Sequence, residues 1–131
     1  GMQLLAARMQ ATMAQAAAVP ELAPYAVQLG DALQQVAAAT QAAWATGNPA
    51  EALANAVPYM QAFGHTVLAW VWLDVALATL RADATLSVAA SAGRMGAARY
   101  FYHYELPKIG AWLKVAASRD ATCASLPEDA F

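Results

Sequence analysis

Apolar residues recur at helical spacing in four segments of the chain, and no segment shows the strict alternation typical of a strand. The first predicted helix covers Met2–Ala18 and ends at a Val-Pro pair, because proline disfavours helical geometry in the residue before it. The second runs from Leu22 or Tyr25 to Thr46, with apolar residues at steps of three and four. Each of these two helices is therefore expected to bury one face.

A Gly-Asn-Pro tripeptide marks the clearest boundary between predicted helices. Asn48 can cap the next helix, Pro49 suits its first position, and Glu51 has the spacing of a capping box. The third helix is expected to continue from there to about Arg81, with a kink at Pro58.

The fourth helix is expected to begin with Asp83 as its N-cap and to reach at least Glu105. Pro107 should interrupt it, and the pattern is helical again over Ile109–Ser118. Short connections between long helices favour antiparallel neighbours. The predicted fold is therefore an all-α, antiparallel up-down four-helix bundle over residues 1–118, followed by a loose tail at 119–131.

The composition adds limits on function to this picture. Of the 131 residues, 60% are hydrophobic and 12% are charged, against about 25% charged in a typical soluble domain. Such a low charge predicts that part of the surface is normally covered. The net charge of −2 gives no electrostatic footprint for nucleic acid. One cysteine, Cys123, allows no disulfide within the chain, and the expected location is the cytoplasm.

The third helix contains a segment, Ala62–Leu80, that is nearly long enough to span a bilayer. It includes His65 and, near its middle, Asp74, which would be costly in lipid, so a buried bundle helix is the favoured interpretation. Apolar residues occupy every face of this segment. We therefore expect the helix, or its two tryptophans Trp70 and Trp72, to meet a partner surface beyond the bundle.

Residue patterns that carry metal or nucleophilic chemistry are missing from the sequence. Neither His65 nor His103 has a glutamate three residues before it, so no metal site of the di-iron bundle kind is expected. The serines form no nucleophile elbow, and no glycine-rich phosphate loop follows a strand. Gly93 and Gly96 lie on a small-residue face that suits a ligand or a closely packed helix, and helix packing is favoured.

Pairing the third and fourth predicted helices about a turn at Asp83 sets their residues level by equal rise. Asp74 then faces Arg94, and an ion pair between them would offset the burial of the carboxylate. The same count places His65 beside residue 101.

The fourth helix and its extension are rich in basic residues. This region suits either a phosphorylated ligand or acidic partner, or a solvated and internally paired face, and the second interpretation is favoured. The basic residues are Arg94, Arg99, Lys108, Lys114 and Arg119.

Five ring-bearing residues run without a break from Tyr100 to Tyr104. Because an α-helix advances about 100° per residue, one face cannot bury them all. Tyr100, Phe101 and Tyr104 are expected to fill the core side, while Tyr102 and His103 point elsewhere. The residues predicted to form an interaction surface are Trp70, Trp72, Tyr100, Tyr102, His103 and Tyr104.

Two segments of the chain resemble a known family. Residues 55–70, NAVPYMQAFGHTVLAW, are similar to the NATPYLxxFG…W segment near the end of larger bacterial acyl-CoA dehydrogenases. Residues 93–107, GRMGAARYFYHYELP, resemble their GKxxxARFF…LP segment. The resemblance covers most of residues 2–118 and is to the extra C-terminal helical domain of these enzymes, including the 3-methylmercaptopropionyl-CoA dehydrogenase type.

The resemblance implies a structural role rather than a catalytic one. The parent enzymes use FAD and a catalytic glutamate that belong to preceding domains, and no residue here matches either site. The chain is therefore expected to bind no FAD, to have no catalytic residue, and to pack on a dehydrogenase catalytic body or on a second copy of itself. A homo-oligomer is expected, without nucleic acid or membrane as partner.

Two other functions stay open. The first alternative is a free-standing module that binds an apolar acyl ligand or a partner helix, since many alanines beside a few large aromatic residues can leave a cavity. The second is a flavin-dependent enzyme acting alone, against which the missing phosphate loop and catalytic base both argue.

Overall fold

The computed structural model describes residues 1–82 and 85–131, and this part of the chain is helical without any strand, which confirms the predicted all-α class. A π-helical turn at Phe101–Glu105 and a 3₁₀ turn at Leu106–Lys108 join the helix that ends at Tyr100 to the helix that begins at Ile109, and a further 3₁₀ turn covers Glu128–Ala130. The helices are α1 (Met2–Ala17), α2 (Ala23–Ala43), α3 (Pro49–Ala52), α4 (Ala56–Ala82), α5 (Val88–Tyr100), α6 (Ile109–Ser118) and α7 (Thr122–Ser125).

The third predicted helix is two helices in the structure, α3 and α4. Asn48 caps α3 as expected, with its side-chain oxygen accepting from the backbone N–H of Ala50 at 3.0 Å. Glu51 does not complete the capping box, because its carboxylate accepts instead from the hydroxyl of Thr46. The interruption lies between α3 and α4, before Pro58, which falls in the first turn of α4, where a backbone N–H has no partner within the helix.

The fourth predicted helix begins later than expected. The side-chain oxygen of Ser87 accepts from the backbone N–H of Ala90 at 3.1 Å and caps α5. The predicted cap, Asp83, lies outside the described residues. The interruption near Pro107 and the renewed helix over Ile109–Ser118 are both confirmed.

The core is built from large aliphatic side chains separated by alanines. α1 packs on α2 and α4, α6 packs on α2 and α4, and α5 packs on α4. Because an alanine side chain is a single methyl group, the helices approach closely where these residues face one another. The buried core includes Ala16, Leu22, Leu29, Ala32, Ala62, Ala69, Leu73, Ala76, Leu77, Ala98, Leu106, Ile109 and Leu113.

α4 is long and apolar enough to cross a membrane by length and composition alone, a test that the core helix of a soluble protein also passes. In this fold α4 contacts α1, α2, α5 and α6. The chain covers only the inner side of α4, so its outer apolar residues face solvent.

Candidate interaction surface

The outer side of α4 presents a continuous apolar strip. Val57, Met60, Leu68 and Val71 are between 41% and 71% exposed. At about 100° per residue, these positions and Gly64 fall within one narrow sector of the helix. We call this surface the α4 stripe. All five of its residues are uncharged, so water meets an unusually apolar helix face here.

Three aromatic side chains form a second exposed surface at the end of α5. Tyr100 and Tyr104 are 56% and 58% exposed, and their rings stack with centroids 4.9 Å apart. The His103 ring stands edge-on to Tyr104 at 4.7 Å. We call these three residues the aromatic patch. With Arg99 and Gly96 they line an open depression of about 480 Å³.

Tyr102 lies on the other side of the same turn and is only 2% exposed. Its hydroxyl donates to the backbone carbonyl of Ala69 at 2.7 Å, and its ring lies 4.8 Å from that of Tyr25. Burial, with a smaller contribution from Tyr25, raises the pKa of Tyr102. The prediction that Tyr102 belongs to an exposed interaction surface is therefore wrong.

The assignment of these rings fails because it leaves out the positions on either side of the run. Ala98, Tyr102 and Leu106 are four residues apart and share one helix face, and all three are buried. Phe101 and Tyr102 therefore lie on the inner side, and Tyr100 and Tyr104 face outward. Phe101 is the only one of the three rings predicted to face the core that does so.

The two tryptophans of α4 are half-buried against the core rather than fully exposed. The indole N–H of Trp70 donates to the hydroxyl oxygen of Thr12 at 2.8 Å, which fixes α1 against α4. Trp72 packs on the opposite flank of the helix. A role for either residue in binding a partner stays a prediction.

His65 lies between aromatic rings, beside the π turn. Its ring is 5.5 Å from Phe101 and 4.7 Å from Trp112, which confirms the expected level of His65 with residue 101. Its Nε2 atom is buried, makes no hydrogen bond, and lies 3.8 Å from a carboxylate oxygen of Glu105.

Glu105 is shared between His65 and Lys108. The hydrogen bond from Lys108, with its positive charge, lowers the pKa of Glu105, and His65 adds a smaller effect in the same direction. The same hydrogen bond raises the pKa of Lys108. The carboxylate therefore carries its charge at neutral pH and acts as an acceptor that ties the π turn to the start of α6.

Asp74 and Arg94 do not form the predicted ion pair. Both side chains are exposed, and the ion pairs found over residues 1–82 and 85–131 involve only His65, Glu105 and Lys108. The prediction assumed a buried carboxylate, whereas solvent reaches Asp74 and removes the need for a partner.

The small-residue face of α5 is open rather than packed. A methyl group added at Gly93 or Gly96 would meet no other atom within 4 Å. Close helix packing within the chain therefore does not account for these glycines. Gly96 lines the same depression as Tyr100, next to the aromatic patch, and Gly93 lies seven residues before Tyr100, on the same side of α5.

The described part of the chain holds no group of three His, Cys, Asp or Glu side chains that could bind a metal ion. The sequence predicted that this helix meets a partner surface but did not identify the residues of the α4 stripe, and it missed the Glu105–Lys108 pair. The pair had a signal, since opposite charges three residues apart on a helix face one another. The choice of residues for the stripe had none, because α4 is apolar on its inner and outer sides alike.

Comparison with protein families gives a match over most of the chain. The model described as acetyl-CoA dehydrogenase C-terminal like matches residues 5–127. The match includes both segments that carry the resemblance and extends beyond residue 118, the expected end of the domain. No curated protein and no solved structure matches the chain. Because the family match covers nearly the whole sequence, the chain belongs to the acetyl-CoA dehydrogenase C-terminal-like family.

Proposed function

We propose that this chain is the C-terminal structural and interface domain of an FAD-dependent acyl-CoA dehydrogenase and carries no catalytic residue of its own. Family membership supports the C-terminal position. The observation that carries the interface role is the α4 stripe, where four large apolar side chains face water in one row. Covering such a row removes apolar area from water and stabilises a complex by about 25 cal/mol per Å².

The aromatic patch supports the same role. Tyrosine and histidine combine an apolar ring with a polar edge, which suits a surface that is partly covered and partly wet. Small residues at Gly93 and Gly96 leave room beside this patch for a partner backbone to approach. We therefore place the edge of the interface at the aromatic patch and its centre at the α4 stripe.

The partner is proposed to be the catalytic body of the dehydrogenase or a second copy of this chain, giving a homo-oligomer. We also propose a cytoplasmic location, without a membrane span and without nucleic acid as partner. The contacts of α4 with its neighbouring helices support the bundle interpretation over a span. A chain with net charge −2 has no excess of positive charge to attract phosphates.

The interface proposal is tested with a matched pair of charge substitutions. Leu68→Glu places a carboxylate in the middle of the α4 stripe, and Val27→Glu places one on the exposed outer side of α2. Sedimentation of the chain, alone and co-expressed with a dehydrogenase body stripped of its own C-terminal helical domain, should show association. Leu68→Glu should weaken association more than tenfold, and Val27→Glu should leave it within twofold. A wild-type chain that stays monomeric at high concentration and does not associate with the body would contradict the proposal.

The absence of catalysis is tested separately. The chain is purified in the presence of FAD and an acyl-CoA, and the absorbance of bound flavin and the turnover of the acyl-CoA are measured. We expect neither. Flavin bound in stoichiometric amount would overturn the structural role.

We further propose that α1, α2, α4 and the α5–α6 segment form an antiparallel up-down bundle. Contacts at two separate levels support it. The carbonyl of Ala69 within α4 accepts from Tyr102 before α6, and the side-chain amide of Asn55 before α4 donates to the carbonyl of Asp120 after α6, so α4 and α6 run in opposite directions. The likeness to the 3-methylmercaptopropionyl-CoA dehydrogenase type, based on residues 55–70 and 93–107, also stays a proposal.

A further inference from the structure

An apolar cavity of about 200 Å³, open to solvent on one side, lies between α1, α2 and α4, away from the α4 stripe and the aromatic patch. Every side chain that lines it is uncharged. Its lining includes Leu5 and Met9 of α1, Leu33 and Val36 of α2, and Phe63 and Val67 of α4.

The wall formed by α2 and α4 is fixed by hydrogen bonds behind it. The Thr40 hydroxyl donates to the carbonyl of Val36 at 2.8 Å, which leaves the Tyr59 hydroxyl to donate to the Thr40 oxygen at 2.8 Å. The Tyr59 ring in turn lies 6.4 Å from the Phe63 ring in a stacked arrangement. Phe63 is therefore held in place, and this side of the cavity is formed before any ligand arrives.

The wall formed by α1 is adaptable. Ala6 lines the cavity with a single methyl group, and the unbranched side chains of Met2 and Met9 can adjust to different shapes. The cavity opens to solvent along the exposed side of α1, where Met2 is 66% exposed and Ala6 and Gln10 are also exposed.

The polar groups of the lining fix the chemistry of a ligand. The Thr66 hydroxyl already donates to the carbonyl of Ala62 at 2.9 Å, so it needs no hydrogen-bond acceptor on a ligand. Gln10 is exposed and lies at the edge of the cavity. The interior therefore offers dispersion contacts alone, and a polar group is accommodated only at the mouth.

Apolar cavities of about this size can bind small hydrocarbons. A cavity of about 150 Å³ lined by Leu, Ile and Phe in another protein stays empty of water and takes up benzene. We propose that the α1–α2–α4 cavity is a binding site for an uncharged hydrocarbon group of roughly six carbon atoms, either a free molecule or the end of an alkyl chain. The site needs no docking partner, since all its walls belong to this chain.

The proposal is tested by titrating the full chain with benzene, by calorimetry and by the NMR shifts of the methionine methyl groups. We expect one benzene per chain and a shift of the Met9 methyl signal. Ala6→Phe places a ring in the cavity and should weaken binding at least tenfold. Ala7→Phe, one residue along the same exposed turn and outside the lining, should bind within twofold of the wild type.

A second titration with hexanoate separates the two sources of the hydrocarbon. Binding of hexanoate as well as benzene indicates the end of a chain whose polar head reaches solvent near Gln10, and binding of benzene alone indicates a free molecule. A wild-type chain that binds neither probe would overturn the proposal, and so would unchanged binding by Ala6→Phe. If circular dichroism shows that Ala6→Phe is unfolded, Ala6→Leu and Ala7→Leu are compared by the same criterion. Leu68→Glu should leave benzene binding unchanged, so failure here and failure of the interface proposal are distinguishable.

Discussion

α4 and the end of α5 with its π turn each have an inner side and an outer side. The two sides carry similar residue types, but the inner side is buried and the outer side faces solvent. On the inner side, Leu73 is 0% exposed, and Tyr102 is buried with its hydroxyl hydrogen-bonded. On the outer side, Leu68 is 47% exposed, and the Tyr104 ring stacks on Tyr100 in solvent. The same residue types therefore stabilise the fold on one side and are available for binding on the other.

The outer side of α2 is more polar than that of α4. Between Val27 and Ala37 it exposes Gln28, Asp31, Gln34 and Gln35. The outer side of α4 has no comparable polar set at the corresponding positions of its stripe. This difference favours a covered outer side for α4 and a solvated one for α2.

The largest expected effect is the loss of stability when a leucine on the inner side of α4 is replaced by alanine, compared with the same replacement on the outer side. Leu73→Ala removes a fully buried side chain and should lower the free energy of unfolding by about 2–5 kcal/mol. Leu68→Ala removes a half-exposed one and should lower it by less than about 1 kcal/mol. Urea denaturation followed by circular dichroism measures both. Equal losses would mean that the outer side of α4 is part of the core.

How much of this arrangement could be predicted depends on the physical source of each feature. The start of α6 follows from Pro107, and the position of His65 beside Phe101 follows from the constant rise of a helix. The inner and outer sides of α4 could not be distinguished, because hydrophobic periodicity separates two faces only where one of them is polar. The prediction that Asp74 is buried fails for the same reason.

The second expected effect compares the two tyrosines of the π turn. Tyr102→Phe removes the hydrogen bond to the Ala69 carbonyl and should lower the free energy of unfolding by about 0.5–1.5 kcal/mol at neutral pH. Tyr104→Phe, whose hydroxyl is on the exposed side, should leave it nearly unchanged. Denaturant titration of both variants checks this, and a destabilised Tyr104→Phe would contradict the assignment of the two sides.

The stability that the buried Tyr102 contributes should also depend on pH, because its hydroxyl can ionise. Its pKa is raised in the folded chain, so its contribution to stability is fully present below the unfolded pKa of about 10. That contribution is lost as the pH rises further, because the unfolded chain releases the proton first. Stability should therefore fall less steeply above pH about 10 in Tyr102→Phe than in the wild type. A slope that is the same in both proteins would show that Tyr102 is not the group responsible.

The π turn itself could not be predicted from residue spacing. The run from Tyr100 to Tyr104 satisfies an α-helical pattern as well as a π-helical one, since each position carries a ring. The spacing does bear on which ring is buried, because Tyr102 lies four residues before the buried Leu106, and its hydroxyl is hydrogen-bonded to α4. Turns of this kind often lie at functional sites, and here the turn contains His103 and Tyr104 of the aromatic patch.

The smallest expected effect concerns Glu105, at the boundary between the inner and outer sides. Lys108 lowers the pKa of Glu105 in the folded chain, so the stabilising contribution of the carboxylate is present above its unfolded pKa and is lost as the pH falls through the folded value. Glu105→Gln should therefore flatten the acid side of the stability profile, below pH about 4.5, and added salt should produce part of the same change in the wild type. Thermal unfolding between acidic and neutral pH measures it, with Glu128→Gln in the exposed C-terminal segment as the control. Because the pair lies largely in solvent, the effect should be small beside that of Tyr102→Phe. A larger effect would mean that Glu105 holds the π turn in place through His65, and that the aromatic patch depends on it.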